Sequence, residues 1–396
     1  MSDIYQKAID FHRQYQGKLG VSLITPIETK EELSLVYTPG VAGVSRAIAD
    51  NPKLSFDLTM RGRTVAVISD GSAVLGLGNI GAEAAMPVME GKSLLLKKFA
   101  NLDSVPLVID TQDPTEIIKF VRQVAPSFAA INLEDIAAPN CFVVEESLQN
   151  LGIPVFHDDQ HGTAVVISAA LRNAAKVVGK NYHELKVVIV GSGAAGLATA
   201  RMLLGMECSA NGCSAVAGSQ SVGDLIMVDS KGVISQNTPG LNIYKQVVAA
   251  VSNKEHKTGS LAEVIKGADV IIGVSRAGLI KPEMIKTMAE KPIVFALANP
   301  EPEIMPNLAK EAGAAVVATG RSDFANQINN VLAFPAIFRA AVDLRLPTIS
   351  FAVKQAASQA ISELIEQPSA DLIIPSPFYP GLVEKIVAKI KTSISK

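Results

Sequence analysis

The stretch FHDDQHGTA, residues 156 to 164, sets two of the chain's five histidines around adjacent aspartates, directly after an apolar run at 153 to 156. Neighbouring carboxylates repel, and keeping both ionised at the end of a buried element requires a nearby cation, either a metal or a lysine. Further ionisable groups stand at Tyr37 in YTPG, Lys92 in EGK, Glu134 and Asp135 in NLED, and Asp158 and Asp159 in HDD. Three of these carboxylates would supply a hard cation, Mg²⁺ or Mn²⁺, with oxygen ligands and leave positions for water and a chelating substrate. Zinc suits the pattern poorly, because His157 and His161 lie off the spacing of zinc helices and no third nitrogen or sulfur ligand is close in sequence. Packing and hydrogen-bonding roles that shape the loop suit both histidines better. Lys92, within AAMPVMEGKSLLL, either reaches solvent along its apolar stem or is desolvated with a lowered pKa and can act as a base. Tyr37 taken alone is an ordinary half-buried tyrosine in a turn.

The elements that must carry these groups alternate. TVAVISDG, VPLVID, AAINLED and IPVFHDD are apolar runs whose carboxyl ends deliver acids, and helical segments at 83 to 99 and 115 to 124 lie between them. This alternation predicts an α/β fold with a mostly parallel sheet, whose ligands bind beyond the carboxyl ends of the strands. A small-residue helix at 163 to 178 leads into LKVVIVGSGAAG, where Gly191, Gly193 and Gly196 match GxGxxG between a strand and a helix. There the first glycine makes the turn, the second admits a diphosphate and the third lets helix pack on strand, so a Rossmann-like NAD(P) site is expected. Asp229, closing DLIMVD, is the expected acid for an adenosine ribose. It lies farther from the glycines than the usual spacing of about 20 residues, the excess falling in an apparent inserted loop, ECSANGCSAVAGSQSVGD. Lys231 could instead meet a 2′-phosphate, so NAD is favoured over NADP only by the acid. The expected organisation is a substrate- and metal-binding domain at 1–162, a Rossmann domain at 163–335, and a helical segment at 336–396 that packs back on the first domain.

With 396 residues and a formal net charge of −2, the chain carries no electrostatic footprint for nucleic acid or a membrane surface. The N-terminal stretch MSDIYQKAIDFHRQ is amphipathic, with apolar Ile4, Ala8, Phe11 and Tyr15 at helical spacing. It lacks a signal-peptide core, and later apolar runs are too short to span a bilayer. A cytoplasmic protein is expected. Cys141, Cys208 and Cys213 are too few for a disulfide framework and are expected as free thiols.

Taken together, YTPGVA, SDGSAVLGLGNIG, EGK, NLED, FHDDQHGTA, VGSGAAG, ALANPEPE and ATGRSDFANQINNVLAFP resemble the malic enzymes, specifically their short-subunit bacterial branch. The resemblance implies oxidative decarboxylation of L-malate to pyruvate and CO₂ with NAD(P)⁺ and Mg²⁺ or Mn²⁺, by a homodimer. It implies Glu134, Asp135 and Asp159 as metal ligands, Lys92 as the base paired with Asp158, and Tyr37 as the acid that protonates C3. Asn299, Asn329 and Asn330 match the amides around the substrate, with Asn299 also beside the cofactor. One departure is Ala73, which stands where larger members carry a substrate-binding arginine. A backbone amide of the 71–81 loop is the expected replacement. Related readings are a different 2-hydroxyacid substrate, a redox-neutral malolactic reaction, or a silent nucleotide-sensing subunit.

Overall fold

Short runs of valine, isoleucine and alanine, closed by serine, aspartate or glycine, become buried parallel strands when helices cover both faces of a sheet. The computed structural model describes residues 2–25 and 27–394. Its first sheet comprises β1 Thr64–Ser69, β2 Asp103–Val108, β3 Ala130–Leu133 and β4 Val155–His157. The order is β2-β1-β3-β4, all parallel. Strand order reverses between β1 and β3, so a crevice opens beyond their carboxyl ends. Asp70 follows β1, Glu134 and Asp135 follow β3, and Asp158 and Asp159 follow β4.

The helix Asp158–Val178 then leads to the second sheet, beginning with β5 Lys186–Val190. A hairpin of β6 Met206–Ser209 and β7 Gly212–Ala215 precedes β8 Asp224–Asp229, the short β9 Gly232–Val233, β10 Val270–Gly273, β11 Ile293–Ala296 and β12 Val316–Thr319. The order is β12-β11-β10-β5-β8-β9, parallel except for β9. One continuous core joins residues of both sheets to the helices Phe334–Asp343, Phe351–Glu363 and Leu382–Ile394. Of these, Phe334–Asp343 packs on the helix Ala82–Ala100 and on β3, and Phe351–Glu363 packs on the Asp158 helix. No described helix is long and apolar enough to cross a membrane.

Three local expectations are corrected. The helix after β4 begins at Asp158 rather than Thr163, so the HDDQH residues form a strand end and a first helical turn, not a loop. The stretch after the nucleotide helix, expected as an inserted loop, first pairs into the antiparallel β6–β7 hairpin, and only its second half, 216–223, runs without regular structure to β8. Cys208 lies directly opposite Cys213 in that register, and the two form a disulfide rather than free thiols. Cys141 remains free and buried. The N-terminal helix forms at Ser2–Tyr15, but its apolar residues Ile4, Phe11 and Tyr15 are exposed.

Candidate active site

Each acidic group reaches the crevice by a specific local device. Strand β3 ends at Leu133, and Asp135 adopts a left-handed φ of 55°, which turns the chain so that consecutive acids need not face opposite sides. The Asp135 N–H donates to Asp159 Oδ2 at 2.8 Å. Carboxylate oxygens of Glu134, Asp135 and Asp159 all lie within 4.8 Å of one another. Burial first, and then Asp159, push Asp135 up to about 7. Burial likewise raises Glu134 well above the usual carboxylate range, with Lys92 opposing and Asp159 adding to the rise. Asp135 Oδ2 is buried with no hydrogen-bond partner. Three crowded carboxylates, one with an orphaned oxygen, form a donor set that suits a hard divalent cation.

Lys92 extends from the helix Ala82–Ala100 to the edge of this cluster, its side chain 11% exposed. Its Nζ donates to Asp158 Oδ2 at 2.5 Å, lies 2.9 Å from Glu134 Oε1, and sits 4.7 Å from the centre of the Phe334 ring. Burial pulls the Lys92 pKa down, but Asp158, Glu134 and Asp159 outweigh it and raise the pKa above the ordinary lysine value. Among these carboxylates the shift of Lys92 is upward, opposite to the lowered pKa considered from sequence, because their charge favours the protonated form. Asp158 is fully buried, and burial raises its pKa against the pull of Lys92.

The other sequence-selected residues divide into two groups. Asn330 joins the cluster: a Cβ on Gly162 would meet Asp158 Oδ1 at 1.9 Å and Asn330 Cβ at 3.1 Å. The Asn329 side chain accepts from Val331 N–H at 3.0 Å, fixing the turn that presents both asparagines. Asn299 precedes a cis peptide to Pro300, and the 71–81 loop rests on it, with a Cβ at Gly76 meeting the Asn299 carbonyl at 2.1 Å. Tyr37 is not brought in. It closes the helix Lys30–Val36 and is 67% exposed, whereas the Lys92 side chain is turned inward onto buried Asp158 and Glu134. The Ala73 N–H donates to the Asp135 carbonyl at 2.9 Å, so that amide is already engaged.

At the nucleotide turn, Gly191 has φ 117°, and a Cβ there would meet the Val274 carbonyl at 2.5 Å, while one on Gly196 would meet the Gly191 carbonyl at 1.9 Å. Gly193 faces open space at the start of the helix Ala194–Leu204, which leaves room for a diphosphate. Asp229 ends β8 with Oδ1 accepting from Lys231 N–H and Oδ2 paired with Lys245 Nζ at 2.9 Å. Lys245, absent from the sequence reading, is thus the cation paired with Asp229. Sequence reasoning also missed Gly162, whose signal was a glycine inside a helical turn, and Glu145, whose signal was a carboxylate directly after the apolar run CFVV in the helix Asn140–Leu148. Neither ring nitrogen of buried His157 makes a hydrogen bond, whereas His161 Nε2 lies 2.9 Å from Glu145 Oε2.

Fold and site together define a two-domain α/β oxidoreductase with a dinucleotide crevice. The malic enzyme N-terminal domain family matches residues 16–149, and the malic enzyme NAD binding domain family matches residues 160–394. The chain is 49% identical over 391 residues to a bifunctional malic/malolactic enzyme of Bacillus subtilis, covering 97% of this chain and 92% of that one. It is 50% identical over 373 residues to an NAD-dependent malic enzyme of Geobacillus stearothermophilus, covering 93% and 75%. A crystal structure of an NAD-dependent malic enzyme from Thermotoga maritima superposes with a TM-score of 0.91 at 46% identity, covering 98% of this chain and 99% of that one. NADP-dependent malic enzymes are also among its relatives. The chain belongs to the malic enzyme family.

Proposed function

We propose that the chain oxidatively decarboxylates L-malate to pyruvate and CO₂, with NAD⁺ or NADP⁺ as hydride acceptor and Mg²⁺ or Mn²⁺ held by Glu134, Asp135 and Asp159. The observation that carries this reading is Lys92 lodged between Asp158 and Glu134 at the edge of a three-carboxylate cluster. Lys92 takes the C2 hydroxyl proton as hydride leaves C2 for the nicotinamide, and Asp158 orients its amine. When bound, the cation supplies Lewis acidity toward the C2 oxygen and the enolate, and offsets the carboxylates that hold Lys92 charged. Tyr37 gives a proton to C3 of the enolpyruvate left after CO₂ departs. Asn299, Asn329 and Asn330 hold the substrate through their side-chain amides. Gly191, Gly193 and Gly196 admit the diphosphate, and Asp229 receives the adenosine ribose. That carboxylate disfavours a 2′-phosphate, which favours NAD, although Lys245 beside it would accommodate one.

The working unit in this proposal is a cytoplasmic homodimer. Among the described side chains of residues 4–50 none is buried, and Phe11, Leu23 and Leu35 are 53%, 81% and 72% exposed, an apolar surface that a second copy would cover. Tyr37 rides on this segment, so its approach to Lys92 depends on what covers it. We assign 1–162 to substrate and metal, 163–335 to nucleotide, and 336–396 to the helical return.

The test is absorbance of reduced nicotinamide on mixing protein with L-malate and Mn²⁺, with NAD⁺ or NADP⁺, with and without chelator. Chelator-sensitive reduction is expected, and none with either nucleotide would overturn the reading. A second reading, redox-neutral conversion to lactate, is favoured by the name of the Bacillus subtilis relative. Lactate formation without net nicotinamide reduction would select it.

A further inference from the structure

Glu145 lies at the centre of a buried network on the opposite side of the turn that carries Asp158 and Asp159. Its Oε1 accepts the His157 backbone N–H at 3.0 Å, and its Oε2 accepts from Gln160 Nε2 at 3.1 Å and His161 Nε2 at 2.9 Å. Beyond His161, Lys354 Nζ from the helix Phe351–Glu363 lies 3.4 Å from Nδ1. The 21-residue helix Asp158–Val178 starts on His157 without a side-chain cap of its own. Helix starts leave orphan N–H groups and favour negative charge. Here a neighbouring helix supplies both acceptor and charge, gripping positions 157, 160 and 161 with one carboxylate. Asp158 and Asp159 lie within that span, so the turn that carries them is anchored on both sides.

We propose that Glu145 is a positioning residue that aims Asp158 at Lys92 and Asp159 at the cation site, an inference that rests on the metal and base assignments above. Those aims are tight, at 2.5 Å from Asp158 to Lys92 and 2.8 Å from Asp159 to the Asp135 N–H. Groups that orient metal-binding carboxylates from behind change metal affinity or activity by about 10–100-fold when replaced.

The experiment compares Glu145→Gln and Glu145→Ala with wild type in the full-length protein. Gln keeps an oxygen for the His157 N–H but sets an NH₂ group among the donors of Gln160 and His161, while Ala removes every acceptor. Mn²⁺ affinity is read by electron paramagnetic resonance without substrate, NAD⁺ affinity by calorimetry, kcat and KM for L-malate by absorbance, and folding by melting temperature. The expected result is graded: Mn²⁺ affinity about tenfold weaker for Gln and about 100-fold weaker for Ala, with kcat falling in the same order. NAD⁺ affinity stays within about twofold of wild type, since the nucleotide turn follows a different sheet. Should the Ala variant not fold, the near-isosteric Gln variant decides alone. Folded Glu145→Gln with wild-type Mn²⁺ affinity and kcat would overturn the proposal, as would equal losses of Mn²⁺ and NAD⁺ binding, the mark of general loosening. Asp159→Asn separates the two failures. If it keeps wild-type Mn²⁺ affinity, the metal assignment falls and this inference with it. If it weakens Mn²⁺ while Glu145→Gln does not, only the role of Glu145 falls.

Discussion

A lysine between two buried carboxylates is held in place by their mutual need for charge balance, and the same balance sets what its removal does. Lys92→Ala leaves Asp158 buried without its cation, and losing one partner of such a pair costs roughly 3–5 kcal/mol. Malate oxidation should fall by about 10²–10⁴-fold through loss of the base, with nucleotide binding retained. Wild-type turnover in the Ala variant would remove the base assignment. Gly162 gives a second prediction at this scale. A methyl group there meets Asp158 Oδ1 at 1.9 Å, so Gly162→Ala must displace the carboxylate that orients Lys92. Overpacking of this kind costs about 1–3 kcal/mol. We expect a folded protein with a lower melting temperature and kcat reduced at least tenfold; unchanged kinetics would show that Asp158 tolerates the shift. Tyr37→Phe should slow pyruvate formation while leaving Mn²⁺ affinity intact, and full activity would end its acid role.

At the scale of elements, the site is made where regular structure stops. The end of β3 at Leu133 frees Glu134 and Asp135 to turn toward one point, and the helix start at Asp158 places two acids on its first turn. The nucleotide turn depends on backbone clearance rather than side-chain chemistry. A Cβ at Gly196 would stand 1.9 Å from the Gly191 carbonyl, a backbone atom that cannot yield without moving the turn. Gly196→Ala should therefore weaken NAD⁺ binding more than tenfold while Mn²⁺ binding stays normal, which calorimetry can check. Equal binding of NAD⁺ by both proteins would mean that the diphosphate does not use this turn. Strand and helix identities in this part of the chain were legible because the apolar runs are short and strongly punctuated. The start of the Asp158 helix was not, because its first turn, DDQHG, is polar and is stabilised by Glu145 from another helix instead of by a local cap.

For the molecule as a whole, the unusual feature is a segment that folds without burying itself. Helices Ser2–Tyr15, Lys30–Val36 and Val41–Asp50 contribute no buried described residue, and the segment touches the Lys92 helix where Lys18 Nζ donates to the Pro87 carbonyl at 2.8 Å. Sedimentation should give a dimer, and Phe11→Ser combined with Leu35→Ser should shift it toward monomer with loss of activity. A wild-type monomer with full turnover would remove the dimer from the proposal.

The sequence by itself determined the alternating α/β plan, the glycine turn, and the acids at strand ends, because each is written in local patterns of apolar runs and turn residues. Family motifs extended this to Lys92, Asp158 and the three cluster carboxylates. Tertiary structure alone decided that Lys92 sits between Asp158 and Glu134, that Lys245 pairs with Asp229, that Cys208 meets Cys213, and that Glu145 grips the Asp158 turn. Each of these depends on groups from separate elements meeting in space, where burial and opposing charge set protonation and partner, and no local pattern encodes that meeting.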